Sequence, residues 1–161
     1  MAAEQLLDDT ILFHAAALLG GGGSPGVIED SVLVSAVHRP FAMYGGAWAY
    51  KTPLEQAAAL MESLCTNHGF MDGNKRTGTT ACLYFLERSG YWRGIALLTD
   101  KERSQLVELS VQVAERKCRY PQLVRELKRI LGPTRNRRPR IARILSGMFG
   151  PVEQYLHLIR E

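Results

Sequence analysis

His68-Gly69-Phe70-Met71-Asp72-Gly73-Asn74-Lys75-Arg76-Thr77 crowds an imidazole, a carboxylate, an amide, two glycines and two cations together, and the apolar run Ala81-Cys82-Leu83-Tyr84-Phe85-Leu86 follows almost at once. Polar groups this dense at the mouth of a buried helix are costly to a fold and predict a site. Gly73-Asn74 permits a sharp turn. Asp72 or Asn74 can cap the helix that follows. The first amides of that helix then point, unpaired, at whatever lies in front of them, an arrangement that binds phosphate. Lys75 and Arg76 add the positive charge a polyphosphate needs. Asp72 is placed to hold Mg²⁺, which is usually bound by one or two carboxylates plus substrate phosphates. His68 alone in the stretch titrates near neutral pH and is the candidate general base.

Upstream, Pro53 opens a helix at a position where proline is favoured. Leu54, Ala57, Ala58, Met61, Leu64 and Cys65 form its apolar stripe. Three or four residues beyond Leu64 and Cys65 the stripe reaches His68. The helix therefore delivers His68 at its C-terminal end, where the dipole favours imidazolium. Phe70, apolar in a polar loop, reads as a pin into the core. Downstream, the spacing predicts a helix from Asn74 to Ser89, apolar nearly all round between Ala81 and Leu86 and so the central buried helix. Gly90 ends it.

The rest of the chain reads as further helices. Leu6, Leu7, Ile11, Leu12, Ala15, Leu18 and Leu19 keep helical spacing over Glu4 to Leu19. His14 inside that helix reads as a core residue rather than a ligand. Gly20 to Gly26 forms a loop. Its Gly21-Gly22-Gly23-Ser24-Pro25-Gly26 has dinucleotide-binding spacing but follows a helix, not a strand, and no Walker A sequence occurs. Ile28 to Val37 predicts a short helix ended by His38-Arg39-Pro40. Phe41 to Tyr50 is rich in glycine and aromatic residues without a helical period. Helices are predicted over Asp100 to Cys118 and from Pro121 to Leu131. No repeat and no convincing sheet emerge, so the fold class is all-α.

A chain of 161 residues, 46% hydrophobic and 22% charged, has an ordinary globular composition. Gly132-Pro133 marks a boundary between a domain at 1–131 and a basic extension at 132–161, helical in part. Residues 1–100 hold 6 Lys/Arg and 10 Asp/Glu, whereas 101–161 hold 14 and 6. The positive field of the C-terminal third suits an acidic partner or nucleic acid, or is simply a solvated surface. Cys65, Cys82 and Cys118 cannot all pair and read as free thiols in a reducing cytoplasm. No apolar run approaches a membrane span, and Met1-Ala2-Ala3-Glu4 opens no signal peptide. Cys65-x-x-His68 lacks a second ligand pair, which argues against a zinc module.

The decisive stretch resembles the signature of the Fic/Doc family, H-x-F-x-(D/E)-(G/A)-N-(G/K)-R. His68, Phe70, Asp72, Gly73, Asn74 and Arg76 match it, while Lys75 and Thr77 match the N-K-R-T of the Doc (death-on-curing) branch. The similarity covers roughly residues 5 to 130 and includes Gly22-Gly23-Ser24-Pro25-Gly26 and His38 through Gly46. The resemblance implies a compact helical bundle around a central helix. It also implies a flap, often a β-hairpin, beside the site, where Phe41, Met43 and Tyr44 contact a target segment held by strand-like pairing; the residues alone read equally well as a loop whose aromatics cover the core. It further implies a small antitoxin whose C-terminal segment covers the site. Some Fic proteins carry an inhibitory helix of pattern (S/T)-x-x-x-E-(G/N); this chain shows no good match.

A base beside a phosphate-and-magnesium site implies transfer of a phosphorus group from a nucleotide, ATP, to a protein hydroxyl. His68 would take the proton. Gly73, Asn74, Lys75, Arg76 and the helix N-terminus would hold phosphate, and Asp72 the Mg²⁺. Most Fic enzymes transfer AMP, and they carry glycine where this chain has Lys75 and a second arginine where it has Thr79. Both departures agree with Doc. The resemblance therefore implies a kinase that binds ATP in the reversed sense, phosphorylates a threonine of elongation factor Tu and stops translation. Gly73 is a feature shared with many AMP-transferring members, and AMP transfer stays the alternative. A second alternative is an inactive module that binds only an antitoxin or nucleic acid; the intact array from His68 to Arg76 argues against it.

Overall fold

A computed structural model describes residues 2–92 and 98–132. Six α-helices account for most of them: α1 (Ala3–Gly21), α2 (Asp30–His38), α3 (Pro53–Thr66), α4 (Asn74–Arg88), α5 (Asp100–Ala114) and α6 (Tyr120–Leu131). A 3-10 turn at Arg39–Phe41 and a two-stranded hairpin, β1 (Met43–Tyr44) and β2 (Ala47–Trp48), link α2 to α3. The described residues thus form a helical bundle with one hairpin, and no described helix is long and apolar enough to cross a membrane. The extension expected at 132–161 lies, beyond Gly132, outside the described residues.

The centre is a pair of helices rather than one. α4 buries Ala81, Cys82, Leu83, Phe85 and Leu86 as its composition predicts. α3 is buried at least as fully: Ala59 and Leu60 are covered along with every residue of its expected stripe. α3 packs on α2, the 3-10 turn, α4, α5 and α6, and α4 on α1, α3 and α5. Gly78 permits their close approach. A Cβ there would stand 2.8 Å from Cys65 Sγ and 3.4 Å from the Met61 carbonyl oxygen. Burial pushes the Cys65 thiol up to about 12 and the Cys82 thiol higher still, so both are inert. All three cysteines are free and buried.

Helix starts follow local chemistry. Thr52 and Glu55 form a capping box at α3, and Thr99 and Glu102 form another at α5. Helix α5 is shorter than its periodicity suggested, ending at Ala114 rather than Cys118. Arg116 turns left-handed at φ 60. Its N–H reaches the Val113 carbonyl, and the Lys117 N–H reaches that of Gln112 at 2.8 Å. These are the two closures of a Schellman motif.

The hairpin that the resemblance implies is present, and with two residues in each strand it is too short to leave an alternating pattern in the sequence. Met43 pairs with Trp48 and Tyr44 with Ala47. Gly45 and Gly46 both take positive φ (57 and 80), the requirement of a two-residue I′ turn.

Candidate active site

Three segments meet at the N-terminus of α4. The first is the end of α3, which stops at Thr66 and leaves His68 one residue beyond Asn67. His68 adopts φ 51, is exposed, and makes no side-chain hydrogen bond among the described residues. It therefore stands outside the helix, presented by a left-handed turn rather than by the last helical turn.

The second is the loop from Gly69 to Gly73. Asn74 does not cap α4, contrary to expectation, nor does the Asp72 side chain. The cap position is Gly73, left-handed at φ 73. Asn74 instead reaches back to Phe70: its Nδ2 donates to the Phe70 carbonyl at 2.8 Å, and its Oδ1 accepts from the Phe70 N–H at 3.0 Å. Asp72 Oδ1 accepts from the Gly73 N–H. Phe70 is buried, as its apolar character predicts, and its ring stacks on His14 at 3.9 Å.

The third is the glycine-rich loop after α1. It pairs with the site loop through the Ile28 N–H to the Gly69 carbonyl (2.8 Å) and the Met71 N–H to the Gly26 carbonyl (3.0 Å). Gly23 lies so close to Asp72 that any Cβ there would collide with Oδ2. Arg76 clamps this loop: one terminal nitrogen donates to the Ala17 carbonyl at 2.6 Å and the other to the Gly22 carbonyl at 2.7 Å. The cation assigned to phosphate thus sits on the carbonyls at the end of α1, where the helix dipole welcomes it. This placement was not foreseen, since residues 17 and 22 carry no side-chain signal for it.

The anion-binding elements that remain open are backbone ones. The N–H groups of Asn74, Lys75 and Arg76 precede the first helical acceptor pair, Thr77 to Gly73, and meet no acceptor among the described residues. Lys75 is exposed beside them. Thr79 Oγ1 is turned back onto the Lys75 carbonyl at 2.9 Å. No cluster of three or more metal-binding side chains occurs among the described residues. Asp72 Oδ2 has no hydrogen-bond donor, so the donor set suits an ion held by one carboxylate and a ligand's phosphates rather than an all-protein cage.

His14 also borders the site. It is buried, and neither ring nitrogen has a partner. Burial, and secondarily Arg76, holds it below the usual imidazole range, against a smaller pull from Asp72. Of the expected flap contacts, Met43 and Tyr44 are exposed on β1, whereas Phe41 packs its ring 6.0 Å from Phe85 and belongs to the core's edge. Trp48, half exposed opposite Met43, shares that residue's face and was missed. Alternation through the glycine pair was its only signal.

A family model described as Fic/DOC family matches residues 6–86, which run from within α1 to within α4 and contain every residue of the site. This chain belongs to the Fic/DOC family. It is also 37% identical over 106 residues to a protein named Toxin Doc from Mycolicibacterium smegmatis (strain ATCC 700084 / mc(2)155), covering 66% of this chain and 78% of that one. The family match spans His68, the α4 N-terminus and the hairpin. α5 and α6 lie beyond the family match.

Proposed function

We infer that this Fic/DOC chain is a Doc-like toxin that moves the γ-phosphate of ATP to a hydroxyl of a protein. The observation that carries the reading is the open row of Asn74, Lys75 and Arg76 amides next to exposed His68 and Asp72. His68 takes the proton from an acceptor Ser or Thr, the hydroxyl oxygen bonds to phosphorus, and the bond to the ADP oxygen breaks. The amides and Lys75 bear the charge that builds on the transferring group. Asp72 would hold Mg²⁺, which supplies charge neutralisation on the phosphates. Two side chains favour the outer phosphate over AMP transfer. Lys75 crowds the place where a glycine would admit the α-phosphate, and Thr79 has its hydroxyl engaged on its own helix.

The acceptor is proposed to be elongation factor Tu, with translation stopped in the cytoplasm. The partner that restrains the enzyme is a small antitoxin. The test uses the purified chain with Mg²⁺, elongation factor Tu and ATP labelled at either the γ- or the α-phosphate. Label from γ alone is expected. Label from α alone overturns the reading of Lys75 and Thr79 in favour of AMP transfer, and label from neither overturns ATP as the donor to this acceptor.

A further inference from the structure

Among the described residues, only His68 and Arg116 adopt positive φ without being glycine. Each stands just past the end of a helix, where glycine is usual because it carries no Cβ penalty. For His68 the site explains the choice. For Arg116 local structure does not: its backbone completes the turn that a glycine would complete more cheaply, and its guanidinium makes no hydrogen bond or ion pair among the described residues. A non-glycine residue held left-handed points from the strain towards a use for its side chain.

Arg116 lies between two adjoining hollows. One, about 490 Å³, is lined by Ser31, Ser35, Thr66, Asn67 and Arg116. The other, about 220 Å³, continues from Thr66, Asn67 and Arg116 to Arg119. Together they form an open groove of mixed lining, with Val32 and Val113 among the polar groups, and its wall at Asn67 is the residue before His68. Of the charged residues that line it, Arg116 and Arg119 are basic and only Glu62 is acidic. Glu62 borders the smaller hollow, but one of its oxygens pairs with Arg39 at 2.6 Å and the other accepts the Tyr120 N–H at 2.8 Å. Lys117 is neutralised by Glu115 at 2.7 Å. Among the described residues Arg116 and Arg119 make no ion pair; the Ser35 hydroxyl and the Asn67 amide beside them can hydrogen-bond to a carboxylate or main chain, whereas the Ser31 hydroxyl is already given to Glu29 and that of Thr66 to the Glu62 carbonyl at 2.8 Å.

We propose that this groove docks an acidic segment of the acceptor protein beside the hydroxyl presented to His68. This rests on the reading of His68 as the base. Two cations and no lining aromatic ring make it a poor nucleic-acid surface, which needs a row of phosphate contacts or stacking platforms. They suit a short peptide with one or two carboxylates.

The test measures fluorescence anisotropy of a labelled hexaglutamate peptide on the full chain at low salt, against a neutral hexapeptide and a single-stranded RNA hexamer. Arg116→Gly with Arg119→Ser removes both cations and replaces the strained residue by the one its turn favours, so the thermal midpoint should hold or rise. The acidic peptide is expected to bind in preference to both other probes, and the double variant to lose roughly tenfold in affinity, the scale of losing two solvent-exposed ion pairs. His68→Ala is expected to bind like the parent, because docking needs no chemistry. Equal affinity in parent and double variant overturns the proposal, as does tighter binding of the RNA or neutral probe. A chain that binds hexaglutamate through both arginines but transfers no label from ATP refutes the activity and leaves the groove standing.

Discussion

The side-chain amide of Asn74 holds the backbone of Phe70 from both sides, donating to its carbonyl at 2.8 Å and accepting from its N–H at 3.0 Å. Both bonds are buried, and together they set the curvature of the loop between His68 and Asp72. Asn74→Ala leaves a buried donor and a buried acceptor unsatisfied. The expected loss is about 3 kcal/mol, or roughly 10 °C in the thermal midpoint for a domain of this size. Asn74→Asp keeps the acceptor but sets a carboxylate against the Phe70 carbonyl, so it should not restore stability. Thermal unfolding of the two variants checks this; an aspartate variant as stable as the parent would show that the paired bonds matter little.

Arg76 joins α4 to α1 rather than reaching outward. Its contacts with the Ala17 and Gly22 carbonyls span the end of α1 and the start of the glycine-rich loop. Lysine has one ammonium and lacks the planar fork, so Arg76→Lys cannot reproduce both bonds. Both Arg76→Ala and Arg76→Lys should therefore speed proteolysis between Gly22 and Gly26. Nucleotide affinity measured in parallel separates the clamp from a direct phosphate contact: a loop that stays protected while affinity falls would place the guanidinium on the ligand instead.

His14 makes stability depend on pH. Its folded value is depressed by burial first and by Arg76 second. The folded state therefore resists the proton that the unfolded chain accepts near 6.5. Between that value and the lower folded one, the unfolded state binds more protons, so stability falls as pH falls. Above 6.5 this contribution is flat. His14→Phe keeps a ring against Phe70 and removes the titration. Urea midpoints from pH 8 to 5 should decline less for the variant than for the parent; parallel curves would remove His14 as the source.

Gly78 sets how closely α3 and α4 approach. In an open helix, Gly→Ala would gain about 1 kcal/mol of propensity. Here the new methyl meets Cys65 Sγ at 2.8 Å and the Met61 carbonyl oxygen at 3.4 Å. Overpacking of this kind costs about 1–3 kcal/mol, so Gly78→Ala should destabilise. Cys65→Ala removes the nearest atom, and the double variant should be more stable than the sum of the single effects predicts. Strict additivity in a double-mutant cycle would show that the sulfur is not the obstacle.

What could be read in advance was whatever a side chain declares about itself. The α3 stripe from Leu54 to Cys65, the pin of Phe70 and the stop at Gly90 all follow from apolar spacing or glycine freedom, and the family match at residues 6–86 bears out the resemblance carried by His68 to Thr77. What escaped were choices between two backbone states or two partners. Asn74 could cap or staple, and tertiary contact with Phe70 decided. Arg76 could face a ligand or a carbonyl, and the partners at Ala17 and Gly22 lie far away in sequence. Arg116 hid the end of α5, because an arginine carries no warning of a left-handed turn.

His68 tests whether the site's histidine serves the fold or the chemistry. It is exposed, unpartnered among the described residues, and left-handed at φ 51. Nothing in its surroundings is held together by the imidazole. His68→Ala should therefore unfold within about 0.5 kcal/mol of the parent. His68→Gly relieves the Cβ strain of the left-handed turn and should gain up to about 1 kcal/mol, less the extra chain entropy of glycine. Both variants should lose label transfer to the acceptor while keeping nucleotide affinity, because the α4 amides and Lys75 are untouched. A stabilised but inactive glycine variant is what a residue kept for chemistry at the fold's expense should give. Turnover surviving in either variant would assign the proton to another group.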